Sequence, residues 1–254
     1  MKKITFLFIF LSHLTFAQSK SETDSLTLLL PSMAEDTNKV WAYEKITAFY
    51  YGNKPVLAKD YAQKGIALAQ EIQFKKGEVM CLMRLGQVHQ QEGNFVIAYD
   101  YFIKALDLAE KIQYKQGYRR LLGQLTSIYR NLGDFDRAIQ LHHHVLELSK
   151  ELNYEVPNAY RGFGETYLAA NQLDLALVYT LKAKDIAKKD ASNPTYPTIL
   201  VQLANIYTIK GDYERAKILY QESIDFMIPI KNIGYVNSIY FAHFFIQIPQ
   251  ITIY

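Results

Sequence analysis

Three consecutive imidazoles, His142, His143 and His144, are the side chains in this sequence best suited to bind a metal. A zinc site needs several such donors converging about 2 Å from one ion. Neighbouring residues on a helix point about 100° apart, and chelation from one helix uses positions three or four apart. The run therefore predicts one packed histidine, His142, beside two helix-face residues. Two carboxylate pairs, Asp134 with Asp136 and Asp212 with Glu214, have the composition of an acid–base couple. Both stand where helices begin, and there acids cap exposed amides and oppose the helix dipole. Cys81 is the only cysteine, so no intramolecular disulfide forms, and its apolar neighbours Met80 and Leu82 predict a packed, inert thiol. Glycine-rich phosphate loops, serine nucleophile elbows and zinc-ligand spacings are absent. The expectation is a protein that is not an enzyme, with no catalytic residue, cofactor or metal.

The elements that must hold these residues follow from a self-similarity of about forty residues, the mark of a repeat architecture. Leu57 to Gly77 aligned on Ile97 to Gly117 brings Ala58, Asp60, Tyr61, Lys64, Leu68 and Gly77 onto Ala98, Asp100, Tyr101, Lys104, Leu108 and Gly117. Within each period the apolar spacing is helical, and a turn separates two helices: Gly93-Asn94-Phe95, Gly133-Asp134-Phe135 and Gly211-Asp212-Tyr213. Glycine enters the left-handed conformation that stops a helix, and the Asx side chain is expected to cap the next. Asn171-Gln172-Leu173 and Asn53-Lys54-Pro55 are weaker versions.

Counting back from the turns, first helices carry Leu85-Gly86, Leu125-Thr126, Phe163-Gly164 and Leu203-Ala204, then His89, Tyr129, Tyr167 and Tyr207. Second helices carry Ala98, Phe102 and Ala105; Ala138, His142 and Val145; Ala176, Thr180 and Ala183; Ala216, Tyr220 and Ser223. This pattern resembles the tetratricopeptide repeat: Leu-Gly, an aromatic, a glycine turn, then Ala, an aromatic and Ala. The resemblance implies an all-α fold, a right-handed superhelical solenoid of antiparallel helix pairs, with about five repeats over residues 37–230 and a terminal half-repeat. The large position of each repeat is held by Leu82, Leu122, Tyr160 and Leu200 instead of Trp, and the period exceeds 34. Core packing accounts for the many tyrosines. Helices are expected at 38–51, 56–73, 77–92, 96–113, 118–132, 136–152, 157–170, 174–188, 197–210 and 213–226, with a short one at 21–30 broken by Pro31.

The first helices of such repeats line a concave surface. That mapping implies a peptide groove bearing Arg84, Gln87, Gln91, Arg120, Gln124, Ser127, Asn131, Asn158, Arg161, Glu165, Gln202 and Asn205. Amides pair with both donors and acceptors of an extended backbone, and arginine holds a carboxylate. An ordinary hydrated helix face has the same composition, so the groove and the edges of the array both remain open as binding surfaces. The chain also resembles exported repeat arrays that form the sensory region of bacterial histidine kinases and helix-turn-helix regulators, which share a start like Asp36-Thr37-Asn38-Lys39-Val40 and a junction like Phe74-Lys75-Lys76-Gly77. The leading expectation is a noncatalytic scaffold for a protein or extended peptide. A sensory input region lacking its output domain comes second, and an enzyme or metal carrier third.

Residues 1–17 read as a secretory signal peptide, with Lys2 and Lys3 before an apolar run and cleavage after Ala17. The run falls short of the roughly 20 residues of a membrane span, so the mature chain is expected to lie in the periplasm or outside the cell. Removing Lys2 and Lys3 leaves 26 basic against 25 acidic side chains, which gives no argument for nucleic acid. No small-molecule substrate is expected. Residues 18–36 read as an N-terminal capping segment, and 231–254 as an incomplete half-repeat with an apolar tail around Phe241, Phe244 and Phe245. That tail either folds back as a cap or marks a truncated chain. Solenoid ends normally present a polar face, which favours truncation.

Overall fold

A computed structural model describes residues 23–154, 156–190 and 193–228. The segments read as a signal peptide and as an apolar tail lie outside the described residues. The chain divides into two compact units, one ending at Leu152 and the next beginning at Asn153. The division falls at a repeat junction inside the stretch read as one array.

The first unit opens with a helical segment at 23–29 and a 3-10 turn at Leu30–Ser32. Six helices follow: α1 (Thr37–Tyr50), α2 (Pro55–Glu71), α3 (Lys75–Gln91), α4 (Phe95–Lys111), α5 (Lys115–Asn131) and α6 (Phe135–Glu151). The second unit contains α7 (Val156–Ala169), α8 (Leu173–Ala187), α9 (Tyr196–Ile209) and α10 (Tyr213–Met227). Each unit is all-α, built of antiparallel helix pairs that pack first within the pair and then on the next. Among the described residues there is no strand, and no helix is long and apolar enough to cross a membrane.

Small residues set the approach of the helices. Ala58, Ala98, Ala138, Ala176 and Ala216 are wholly buried. Large side chains opposite them fill the gaps: Phe102 with Met83, Leu121 and Leu125 in the first unit, and Tyr220 with Leu200, Leu203 and Ile224 in the second. Each such burial stabilises by roughly 1.5–3 kcal/mol. At the start, Leu30 packs against Ala42, Ile46, Tyr50 and Ala58, covering the apolar end of the first pair.

The turns inside each pair follow the glycine signals. Gly93, Gly133 and Gly211 take φ of 80°, 77° and 79°, and Asn171 follows at 58°. In each case the next amide reaches back to close the helix, as from Asp134 N to the Tyr129 carbonyl at 2.9 Å. Asp134 and Asp212 cap the following helices through the amides of Arg137 and Arg215 at 3.2 Å. Asn94 does not cap as expected; its amide nitrogen donates to Glu92 instead.

The turns between pairs differ from the sequence expectation. Helices read as running through Gln73 and Gln113 end at Glu71 and Lys111, because those two glutamines are left-handed, with φ of 56° and 54°. The next helices therefore begin at Lys75 and Lys115, ahead of Gly77 and Gly117. A Cβ on Gly77 would lie 2.5 Å from the Phe74 ring and 2.7 Å from Val40. Close aromatic packing thus requires that glycine, and Tyr114 covers Gly117 in the same way.

Candidate functional site

On α3, residues 84, 87 and 91 share one helical face, and on α5 so do 120, 124, 127 and 131. Where these two first helices lie side by side, they bound a cleft of about 360 Å³. Gln87, Gln90 and Gln91 face it from α3, Gln124, Ser127 and Asn131 from α5, and Tyr51, Phe95 and Arg130 complete it. The repeat builds this lining, since Gln87, Gln90 and Gln91 occupy the same repeat positions as Ser127, Arg130 and Asn131.

Part of the lining is fixed by internal bonds. Gln90 Nε2 donates to Ser127 Oγ at 3.0 Å, and Arg130 approaches the same hydroxyl at 3.5 Å. Arg84 donates through Nε to Glu44 at 2.6 Å and through Nη1 to Gln87 Oε1 at 2.9 Å. That leaves the Gln87 NH₂ group as a donor. Gln91, Gln124 and Asn131 make no side-chain hydrogen bond to another described residue. Each therefore offers one acceptor and two donors. No described carboxylate lines the cleft, and Arg130 is its one charged side chain.

The other residues expected in a groove are placed differently. Arg120 is exposed, outside this lining, with Nη1 3.8 Å from Met80 Sδ. In the second unit Arg161 donates to Asn158 at 2.8 Å and pairs with Glu165. Gln202 is drawn inside, only 7% exposed, and donates to the Arg161 carbonyl at 3.2 Å and to Thr180 Oγ1 at 3.1 Å. Asn205 is exposed and accepts from the Tyr220 hydroxyl.

Sequence reasoning missed Tyr51, Gln90, Phe95 and Arg130. Adjacency to Gln91 and Asn131 was the available signal for Gln90 and Arg130. It also missed Glu44, a buried acid at the position Arg84 occupies one repeat later, where charge alternation along the repeat marked a pair.

The histidine run and the cysteine differ in burial. His142 is 5% exposed at the packing position, and His143 and His144 are exposed. Among the described residues no group of three His, Cys, Asp or Glu side chains is placed to hold a metal. Burial pushes the Cys81 thiol up to about 12, so the thiolate needed for reaction is scarce. His89 stacks on Tyr101 at 5.5 Å, and burial together with the nearby Lys59 lowers its pKa.

Tetratricopeptide repeat family models match residues 78–151 and 197–226. This is a tetratricopeptide-repeat protein. No curated protein matches the chain at the level of sequence. Solved structures do match. BtubC from P. vanneervenii aligns with a TM-score of 0.62 at 16% identity, over 85% of this chain and 91% of that one. A Rap protein complexed with competence and sporulation factor aligns with a TM-score of 0.66 at 12% identity, over 94% and 74%. The Rap conjugation gene regulator of plasmid pLS20, in complex with the Phr* peptide, gives 0.68 at 15% identity, over 84% and 60%. At such identities the likeness establishes the helical repeat fold, and function rests on the site.

Proposed function

We propose that this tetratricopeptide-repeat protein is an exported, noncatalytic module that holds an extended peptide segment in the cleft between α3 and α5. The observation that carries the reading is the set of unbonded amides, Gln91, Gln124 and Asn131, around a cleft without carboxylates. An extended strand exposes alternating backbone donors and acceptors, and a side-chain amide satisfies one of each. Export rests on the basic, apolar and small-residue pattern of residues 1–17. A sensory role, in which the peptide is the signal, is favoured by the two similar Rap proteins whose structures are complexes with a factor and a peptide.

Panning a displayed random-peptide library on the chain from Gln18 onward tests the binding. The parent is expected to enrich a peptide family whose affinity falls at least tenfold in Gln91→Leu with Asn131→Leu, the loss of about two hydrogen bonds. Enrichment that survives this double variant would move the site elsewhere, and no enrichment would sink the reading. Export is checked separately, by mass spectrometry of the secreted product for an amino terminus at Gln18.

A further inference from the structure

A second cleft, of about 470 Å³, lies on another face of α3, between α2 and α4, and shares no lining residue with the amide cleft. Its volume falls within the range of small-ligand sites, about 300–1,000 Å³. Ile66, Leu82, Leu85 and Leu108 give it an aliphatic lining, with Leu82 and Leu85 buried.

The charges around this cleft do not balance. Glu78 is already engaged, accepting from Gln70 at 2.7 Å and from Lys75 at 3.0 Å. Along α4 stand Lys104, Asp107 and Lys111, none paired with another described residue. One carboxylate between two ammonium groups leaves a positive charge uncompensated.

The second unit contains the same crease, and there it is smaller. Leu203, Leu219 and Glu222 hold the positions of Leu85, Tyr101 and Lys104, and the cleft shrinks to about 220 Å³. Tyr196, at the position of Glu78, donates its hydroxyl to Glu222 at 2.6 Å. An acid that is internally bonded in one unit is thus replaced by an unpaired cation over an aliphatic floor in the other.

We propose that the cleft between α2 and α4 binds an aliphatic carboxylate, its chain against Leu82 and Leu85 and its head group on Lys104. Buried aliphatic surface supplies the affinity, and the ammonium selects an anion over an alcohol of the same length. The site is separate from the peptide cleft.

Isothermal titration of the chain with octanoate, 1-octanol and acetate tests the proposal. Octanoate is expected to bind, with octanol and acetate at least tenfold weaker. Lys104→Glu, which copies Glu222, is expected to weaken octanoate at least tenfold, and Lys104→Arg to retain it. Lys104 is exposed, so both variants should keep the parent circular dichroism. Gln91→Leu with Asn131→Leu should leave octanoate binding intact, which separates this site from the peptide reading. Equal binding of octanol and octanoate, or octanoate binding unchanged in Lys104→Glu, would overturn the proposal. So would no octanoate binding beside capture of an acetylated peptide ending in a free-acid leucine, which would assign the cleft to a chain terminus.

Discussion

Gln124 and Gln202 stand at the same repeat position, one residue before Leu125 and Leu203, yet one faces a cleft and the other is buried. The cause lies in the preceding repeat. In the first unit Phe102 fills the space over Gly86, and a Cβ there would meet its ring at 2.5 Å. In the second unit the position of Phe102 is Thr180, and the smaller side chain leaves room over Gly164 into which the Gln202 amide reaches. Surface chemistry in these repeats is thus set by core volume one repeat earlier. Where an aromatic fills the gap, the amide stays at the cleft; where it does not, the amide becomes part of the core.

The most severe way to break this contrast is Phe102→Thr, which gives the first unit the second unit's residue. Loss of a wholly buried ring should cost about 3–5 kcal/mol in denaturant unfolding, and a change below 1 kcal/mol would remove Phe102 from its central role. Next in size, Ala138→Leu in the first unit and Ala216→Leu in the second should each overpack a closed helix contact by about 1–3 kcal/mol. Unchanged melting of both variants would contradict the shared register.

The two glutamines give the direct test. Gln202→Ala should destabilise by about 1–2 kcal/mol because its bonds to Arg161 and Thr180 vanish, while Gln124→Ala should stay within about 0.5 kcal/mol. Equal effects would erase the distinction between core amide and cleft amide.

Acid should act on the first unit through His89. Its folded pKa lies below the ordinary 6.5, so the unfolded chain takes up the proton first. The stability present above about pH 6.5 is therefore lost as pH falls through the lowered value. Glu92, held low by Lys59, adds a similar loss below its ordinary 4.5. His89→Phe should flatten the upper part of this profile, and a profile of the same shape in that variant would assign it to another group. The smallest effect is expected from Asn171→Gly, which relieves a left-handed asparagine and should raise stability by no more than about 1 kcal/mol.

Much of the helical framework was legible because each pair carries its own punctuation. Gly93, Gly133 and Gly211 end helices through a local backbone preference, and the alanines mark contacts through size alone. The junctions at Gln73 and Gln113 were not legible, since glutamine has no special preference for the left-handed region and a helical pattern continues through it. Of the residues mapped to a groove, Gln87, Gln91, Gln124, Ser127 and Asn131 gather round one cleft. Arg84 and Gln202 are committed to Glu44 and Thr180, partners that sequence spacing along one helix does not display.

The sequence by itself determined the repeat, the helix pairs, the small-residue contacts and the burial of Cys81 and His142, because these depend on periodicity and side-chain volume within one unit. Only the tertiary structure decided which polar side chains remain unbonded and which clefts stay open. Those outcomes depend on whether the preceding repeat supplies a Phe102 or a Thr180, and on whether the paired helix supplies a Tyr196 or a Glu78, at the point of contact.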